Sequence, residues 1–266
     1  MNIISQKTAN RRFWNTSVTC YENNEKVEVF IVKDFEVKQK GVGGGIRGSQ
    51  IDESTIELYK KQSSSRAGTR IRRLVLANEL KYMWTLTYAD EITDIEQVLA
   101  DFNNFKRNLK LRDNKKLNYV AVVEVQEERS KKAGKEILHL HFATDRRINI
   151  KLVNDSWKKG YVFVSEFSGD IYKVASYLGK YIKKGIDSTA VIKDNKKRYL
   201  TSIGLKKPLR IDLITSEKHF IGMVKNADYV KEFEQGIWLL LNKRRLSPEI
   251  AHEIEKQSDR QNKKVI

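Results

Sequence analysis

Two short segments, NYVAVVEVQ at 118–126 and EILHLHFAT at 136–144, restrict the fold of this chain more than any other feature. Toward their facing ends, apolar residues alternate with Glu, Gln or His at the period of two that indicates a β-strand with one buried face. The polar stretch EERSKKAGK between the segments predicts a turn. We therefore expect the two strands to pair as an antiparallel hairpin with a long connection.

A strand and a helix are predicted before this hairpin. Residues 81–90, KYMWTLTYAD, alternate as a strand does. An apolar stripe from Ile95 to Leu109 then indicates an amphipathic helix. Thr93 or Asp94 is placed to cap the first turn of this helix, because short polar side chains accept hydrogen bonds from its unpaired N–H groups.

More elements follow the hairpin. A short helix is expected at 147–159, a strand at YVFVSEF, and a second helix at 168–185. The resulting order is strand, helix, strand, strand, helix, strand, helix. Such an order is typical of an α+β fold, in which helices flank an antiparallel sheet.

The two ends of the chain give weaker signals. Residues 26–32 alternate as a strand, and residues 52–79 have a basic helical pattern. Apolar stretches around 217–243 are interpreted as helical. A last helix is expected to begin with Ser247 as N-cap and Pro248 in its first turn.

The charge of the chain indicates a polyanionic partner. Lys and Arg number 51 against 34 Asp and Glu, giving a net charge of +17. Nucleic acid is the first candidate, since each neutralised phosphate releases counterions. The single cysteine excludes a disulfide framework and suits a reducing cytosol. The N-terminus lacks the apolar stretch of a signal peptide and no apolar run could span a bilayer, so we expect a cytoplasmic protein without a membrane partner.

Four arginines lie close together in the basic segment RAGTRIRR at 66–73, and they are Arg66, Arg70, Arg72 and Arg73. This helix could be an arm that follows a DNA phosphate backbone, or its charges could form a solvated face. Both interpretations stay open at this point.

The hairpin carries a candidate metal site. His139 and His141 are two positions apart, so both face the same side of their strand. Glu124 and Gln126 share a face on the partner strand. Two imidazoles and one carboxylate with open positions suit a catalytic Mg²⁺ or Mn²⁺. The alternative is a polar strand face without a ligand.

The helix at 168–185 repeats the pattern Tyr-x-x-Lys in YLGK and YIKK. Tyr177 and Tyr181 are four residues apart and lie on one side of the helix, and Lys180 and Lys184 follow each of them by three. A tyrosine hydroxyl can attack a phosphodiester when a metal ion polarises the phosphate oxygens. The alternative is an amphipathic helix whose tyrosines border a buried stripe.

Together these segments resemble the HUH endonucleases, specifically the rolling-circle replication initiator (Rep) proteins of bacterial plasmids and single-stranded DNA phages. WTLTY at 84–88 looks like the first family motif, and HLHFA at 139–143 looks like the second, His-hydrophobic-His. YLGKYIKK at 177–184 looks like the two-tyrosine form of the third. The three motifs occur in the family order, and the resemblance covers about residues 66–185.

The resemblance implies a role for each of these residues. His139, His141 and Glu124 would bind the metal, with Gln126 as the alternative third ligand. Tyr177 and Tyr181 would be the nucleophiles, and Lys180 and Lys184 would assist them. The implied activity is nicking of single-stranded origin DNA, which leaves a 5′-phosphotyrosine and a free 3′-OH for rolling-circle replication, followed by rejoining of the ends.

The resemblance also implies a division of the chain. Residues 1–60 would be an N-terminal extension, 61–210 the HUH endonuclease domain with its ferredoxin- or RRM-like core, and 211–266 a helical C-terminal extension. No Walker A sequence is present, so we expect a host helicase to unwind the DNA and a host polymerase to extend it.

Three other functions remain open from the sequence alone. A transposase or plasmid-mobilisation relaxase of the same superfamily would use the same chemistry. A non-catalytic DNA-binding regulator would need only the basic charge. A metal-dependent phosphohydrolase would cleave through water and would survive loss of both tyrosines.

Overall fold

The computed structural model describes residues 13–21, 25–32, 53–166, 171–184, 199–234 and 236–262. The chain divides into two compact units: residues 50–207 form one, and residues 1–49 with 208–266 form the other. Each unit contains one antiparallel five-stranded sheet. Among the described residues, no helix is both long enough and apolar enough to cross a membrane.

Ten strands and seven α-helices make up the described part of the chain. The strands are β1 (Phe13–Cys20), β2 (Lys26–Val32), β3 (Tyr82–Tyr88), β4 (Tyr119–Val125), β5 (Leu138–Thr144), β6 (Gly160–Glu166), β7 (Leu200–Thr201), β8 (Leu209–Ser216), β9 (Tyr229–Phe233) and β10 (Gly236–Asn242). The helices are α1 (Glu53–Ala77), α2 (Ile95–Asp113), α3 (Glu127–Ala133), α4 (Ile150–Trp157), α5 (Ile171–Lys184), α6 (Glu217–Lys225) and α7 (Pro248–Asn262).

The sheet of the 50–207 unit has the strand order β6-β3-β5-β4-β7. The predicted hairpin is confirmed: β4 pairs with β5 in an antiparallel register that sets Glu124 opposite His139 and Val122 opposite His141. This register fixes which side chains meet across the two strands. The predicted α+β class, with an antiparallel sheet flanked by helices and extra elements at both ends, is also confirmed.

One face of this sheet forms the core of the unit with α2 and α4. The predicted apolar stripe of α2 is confirmed, because Val98, Phe102 and Phe105 are fully buried there. They pack against alternate residues of β3 and β5, namely Trp84, Leu86, Leu138, Leu140 and Phe142. The predicted cap is Asp94, whose carboxylate accepts a hydrogen bond from the backbone N–H of Glu96. The other face therefore carries the polar residues that alternate with this apolar set.

The connection between β4 and β5 differs from the prediction. The stretch expected to be a turn contains the two-turn helix α3. Acidic Glu127 and Glu128 lie in its first turn and basic Lys131 and Lys132 in its last, which complements the helix dipole. Gly134 ends the helix with φ of 65°, a left-handed conformation that glycine adopts without steric cost.

The expectation of helical stretches throughout 217–243 is wrong in its second half. α6 covers the first part, but β9 and β10 then form an antiparallel hairpin. β10 also pairs with β2, and this pairing buries Leu239 and Leu241. A short apolar run such as IWLLL fits a buried strand as well as a buried helix, so periodicity could not separate the two.

The second unit joins strands from distant parts of the chain in the order β8-β1-β2-β10-β9. The predicted strand at 26–32 is confirmed as β2. Its neighbour β1 pairs along its whole length with β8, so that Phe13 faces Ser216. The predicted start of α7 is also confirmed, because the Ser247 carbonyl accepts a 2.9 Å hydrogen bond from the N–H of Ala251.

Candidate metal centre and tyrosine helix

Three buried ligand groups meet on the sheet face opposite the aromatic core. His139 and His141 project from β5 on the side away from Leu138 and Leu140, as their alternation predicts. Glu124 projects from β4 beside them. All three are buried, although polar side chains of this kind rarely leave solvent without partners.

The three ligand atoms form a compact triangle. The Oε2 atom of Glu124 lies 2.9 Å from Nε2 of His139 and 2.8 Å from Nε2 of His141, and the two Nε2 atoms are 3.0 Å apart. Ligand atoms on one face of an ion with bonds of about 2.1 Å are separated by roughly 3 Å. The spacing and the mixed nitrogen and oxygen donors therefore fit a divalent cation held from one side.

A threonine of the neighbouring strand orients one of these ligands. Thr85 on β3 stands opposite His141 in the register, and its Oγ1 lies 2.9 Å from Nδ1 of His141. When Nδ1 carries the ring proton and donates it to Thr85, the lone pair on Nε2 is directed at the cluster. The sequence analysis assigned no role to Thr85, although its alternation within WTLTY puts it on this face.

The carboxylate of the cluster is held in its ionised form. Burial raises the pKa of Glu124, but the hydrogen bonds with His139 and His141 outweigh this effect and lower the pKa to about 2. The charged form is the one that binds a cation. Gln126, the alternative third ligand, lies just beyond β4 at the start of α3, and its N–H donates to the carbonyl of Ile137. The compact triangle itself is formed with Glu124.

The two tyrosines of α5 lie at this centre in different environments. The ring of Tyr181 is parallel to the His141 imidazole at 4.0 Å between centroids, and Tyr177 meets Tyr181 edge-on at 5.1 Å. Tyr181 is 7% exposed and Tyr177 is 42% exposed. Burial, a hydrogen bond with Tyr177 and the negative charge of Glu124 together raise the pKa of Tyr181 well above its ordinary value.

Helix α5 is held over the sheet by its buried side and by α1. Val174, Ala175 and Leu178 are fully buried. At the crossing of the two helices, a Cβ added to Gly68 of α1 would lie 3.5 Å from the carbonyl oxygen of Gly179. The backbones therefore approach closely between the two tyrosines.

The basic residues proposed from the sequence occupy the two helices. Lys180 is exposed on α5. Lys184 is the last residue of α5, and its side chain lies outside the described part. On α1, Arg66 and Arg70 are exposed and Arg72 and Arg73 are half-buried. Asp170 and Gly185, which border the predicted helix, lie outside the described residues.

Comparison with known proteins agrees with these motifs. Residues 81–186 match a family model of replication-associated proteins, the Rep family ORF2. No curated protein and no solved structure matches the chain. The matched segment runs from the start of β3 to the end of α5 and includes the metal cluster and both tyrosines. The predicted resemblance to Rep-type replication proteins is therefore confirmed over residues 81–186, which carry a domain of this replication-associated protein family.

Proposed function

We propose that this replication-associated protein nicks single-stranded origin DNA through a tyrosine and thereby initiates rolling-circle replication. The observation that carries the proposal is the stacking of Tyr181 on His141, with Tyr177 in contact with it, inside a segment of the Rep type. A ligand triangle with a phenol beside it has the composition that metal-assisted attack on a phosphodiester requires.

Glu124, His139 and His141 would hold the metal ion, which we propose to be Mg²⁺ or Mn²⁺. A bound divalent cation would polarise the scissile phosphate and stabilise the negative charge of the transition state. Thr85 would keep His141 in the tautomer that binds through Nε2. The protein would thus supply three ligands from two paired strands and leave the opposite side of the ion for DNA.

The reaction exchanges one phosphodiester for another. The phenolic oxygen forms a bond to phosphorus as the bond from phosphorus to O3′ breaks. The phenol loses its proton and the departing O3′ gains one, so the products are a 5′-phosphotyrosine and a 3′-OH. Lys180 and Lys184 would counter the phosphate charge. Attack by a 3′-OH on the phosphotyrosine reverses the step and rejoins the strand.

The two tyrosines would act in sequence. We propose that Tyr177 makes the first cut, because its exposed ring can receive a DNA strand without rearrangement of the helix. Tyr181 is buried against His141 and would act on a second strand end. A hydrogen bond with Tyr177 holds Tyr181 until then.

The remaining partners follow from the product. The 3′-OH would prime a host polymerase, and a host helicase would separate the strands in the cytoplasm of a bacterial cell. Arg66, Arg70, Arg72 and Arg73 would follow the DNA phosphates along α1. The extension at either end of the 61–210 domain would complete contacts with the origin.

A covalent-adduct experiment tests this function. Labelled single-stranded DNA from the sequence flanking the gene is incubated with the protein and Mn²⁺, and the products are separated on a denaturing gel. We expect a metal-dependent protein–DNA band that is lost in His139→Ala and in the double variant Tyr177→Phe/Tyr181→Phe. Tyr177→Phe alone should lose the first cut, and Tyr172→Phe on the same helix is the matched control.

Two outcomes would contradict the proposal. Cleavage that persists in the double tyrosine variant would indicate a phosphohydrolase that uses water. Salt-sensitive binding without an adduct, on DNA that contains the origin, would indicate a regulator.

A further inference from the structure

Tyr161 and Phe163 are large apolar side chains that lie exposed on the edge strand β6. They are 67% and 61% exposed. Their neighbours Val162 and Val164 pack against the core on the α2 side of the sheet. Because side chains alternate along a strand, the two rings project from the opposite face, which is the face that carries His139 and His141.

The register connects these rings to the metal cluster. Phe163 stands opposite Thr85 on β3, and Thr85 stands opposite His141 on β5. Tyr161 is opposite Thr87. Since neighbouring strands are about 4.8 Å apart, Phe163 lies about 10 Å from His141 across the sheet. A strand of DNA at the cluster would reach these rings within a few nucleotides.

The surface between the rings and the cluster suits unpaired bases. The described side chains on this face of β3 and β6 are uncharged, and they are Met83, Thr85, Thr87, Tyr161, Phe163 and Ser165. No carboxylate among them repels a polyanion, and the chain as a whole carries a charge of +17. Exposed aromatic rings beside such a surface are the groups on which single-stranded bases stack.

We propose that Tyr161 and Phe163 form a base-stacking platform, a second DNA subsite that holds unpaired nucleotides next to the scissile phosphate. The platform recognises the π-faces of bases and so selects single strands over duplex, in which the bases are already stacked. This inference rests on the proposed function, because it takes the substrate of the metal and tyrosine site to be single-stranded DNA.

The experiment measures the affinity of a fluorescent oligothymidine for the full chain, in EDTA so that no cleavage occurs. Tyr161→Ala and Phe163→Ala should each weaken binding roughly ten-fold, and the double variant should weaken it further. Tyr161→Phe and Phe163→Tyr should bind as the wild type does, because they keep the ring. Phe163→Leu, which keeps an apolar side chain without a ring, should behave like Phe163→Ala.

Two controls isolate the stacking. Leu111 on α2 is 78% exposed on the other side of the sheet, so Leu111→Ala should leave the affinity unchanged. An abasic oligonucleotide has the phosphates but no bases, and wild type and ring variants should bind it equally. The dependence of affinity on salt should also be unchanged in the ring variants, because no phosphate contact is lost.

Several outcomes would overturn the platform. Alanine variants that bind oligothymidine like the wild type would do so, as would an equal loss of affinity for the abasic strand. A change in sedimentation without a change in DNA affinity would assign this face to contact between copies of the chain. An adduct that forms normally while the ring variants bind normally removes only this inference. Ring-dependent binding without any adduct removes only the nicking function.

Discussion

At the scale of single residues, the hydroxyl of Thr85 governs how well His141 can serve as a ligand. Its Oγ1 is the partner of Nδ1 at 2.9 Å, and a ring proton on Nδ1 leaves Nε2 unprotonated for a cation. Partners of this kind change metal affinity by about 10- to 100-fold when they are removed.

Thr85→Val should therefore weaken Mn²⁺ binding by roughly 10- to 100-fold, with little change in folding, because the side-chain volume is kept. Thr85→Ser keeps the hydroxyl and should bind as the wild type does. Calorimetric titration with Mn²⁺ measures both. His219→Ala, a histidine of the other unit, is the control, and equal affinity in wild type and Thr85→Val would contradict the role of the hydroxyl.

The ionised Glu124 also makes metal-free stability depend on pH. Its pKa is lowered from 4.5 to about 2 in the folded protein. A carboxyl with a depressed folded-state pKa contributes stability above its unfolded pKa, and this contribution is lost as the pH falls toward the folded value.

In EDTA, the wild type should lose stability between about pH 4.5 and 2, by on the order of 3 kcal/mol from this group. Glu124→Gln cannot ionise and should lack this component. Urea unfolding at a series of pH values compares the two, with Glu136→Gln as a control for general acid effects. Parallel losses in wild type and Glu124→Gln would show that Glu124 does not supply the difference.

The metal ligands could be predicted from the sequence, but their surroundings could not. Alternation put His139 and His141 on one face, and the hairpin brought Glu124 beside them, because the strands are local in sequence. Thr85 belongs to β3, whose pairing with β5 is not encoded in either segment alone. The contact of Tyr181 with His141 depends on how α5 packs, which helical periodicity does not specify.

At the scale of elements, the crossing of α1 and α5 determines where the tyrosines sit. Gly68 and Gly179 let the two backbones approach, and a Cβ on Gly68 would make only an ordinary contact with the Gly179 carbonyl at 3.5 Å. A methyl group therefore fits between the helices, whereas a branched side chain does not.

Gly68→Ala should be tolerated and should even stabilise α1 by up to about 1 kcal/mol, because alanine restricts the unfolded chain. Gly68→Leu should push α5 away from the sheet and separate Tyr181 from His141. We expect a lower melting temperature and a strong loss of adduct in the leucine variant. Gly222→Leu is the matched control, since no atom lies within 4 Å of a Cβ at that helical position. Wild-type adduct yield in Gly68→Leu would contradict this positioning role.

Two elements show why sequence patterns fail at this scale. The polar stretch after β4 forms α3 because its charges favour a helix, although a polar segment between strands ordinarily indicates a turn. The run IWLLL became β10 because β2 and β9 on either side complete its hydrogen bonds. In both cases the neighbours of the segment decide its structure, and a short window does not contain them.

At the scale of the whole molecule, the candidate site lies within one unit. Residues 50–207 have their own sheet and their own aromatic core, and they include every metal ligand and both tyrosines. The other unit takes its strands from both sides of this segment.

Residues 50–207 produced alone should therefore fold cooperatively and bind Mn²⁺ with the affinity of the full chain. A thermal melt followed by circular dichroism, with and without Mn²⁺, measures both properties. His139→Ala in the same fragment should remove the stabilisation by Mn²⁺ without preventing folding. A fragment that melts without a transition would show that the unit depends on the rest of the chain.

The pairing of β1 with β8 has a consequence for the order of events during protein synthesis. Thr16 and Thr215 share a 2.7 Å hydrogen bond although they are 199 positions apart. Translation at about 5–20 residues per second separates the emergence of the two strands by roughly 10–40 s. During that interval β1 and β2 can form at most an isolated two-stranded hairpin, which is marginally stable in water and leaves its edges unpaired. This N-terminal hairpin is therefore the part of the nascent chain that is exposed longest to aggregation and to chaperones.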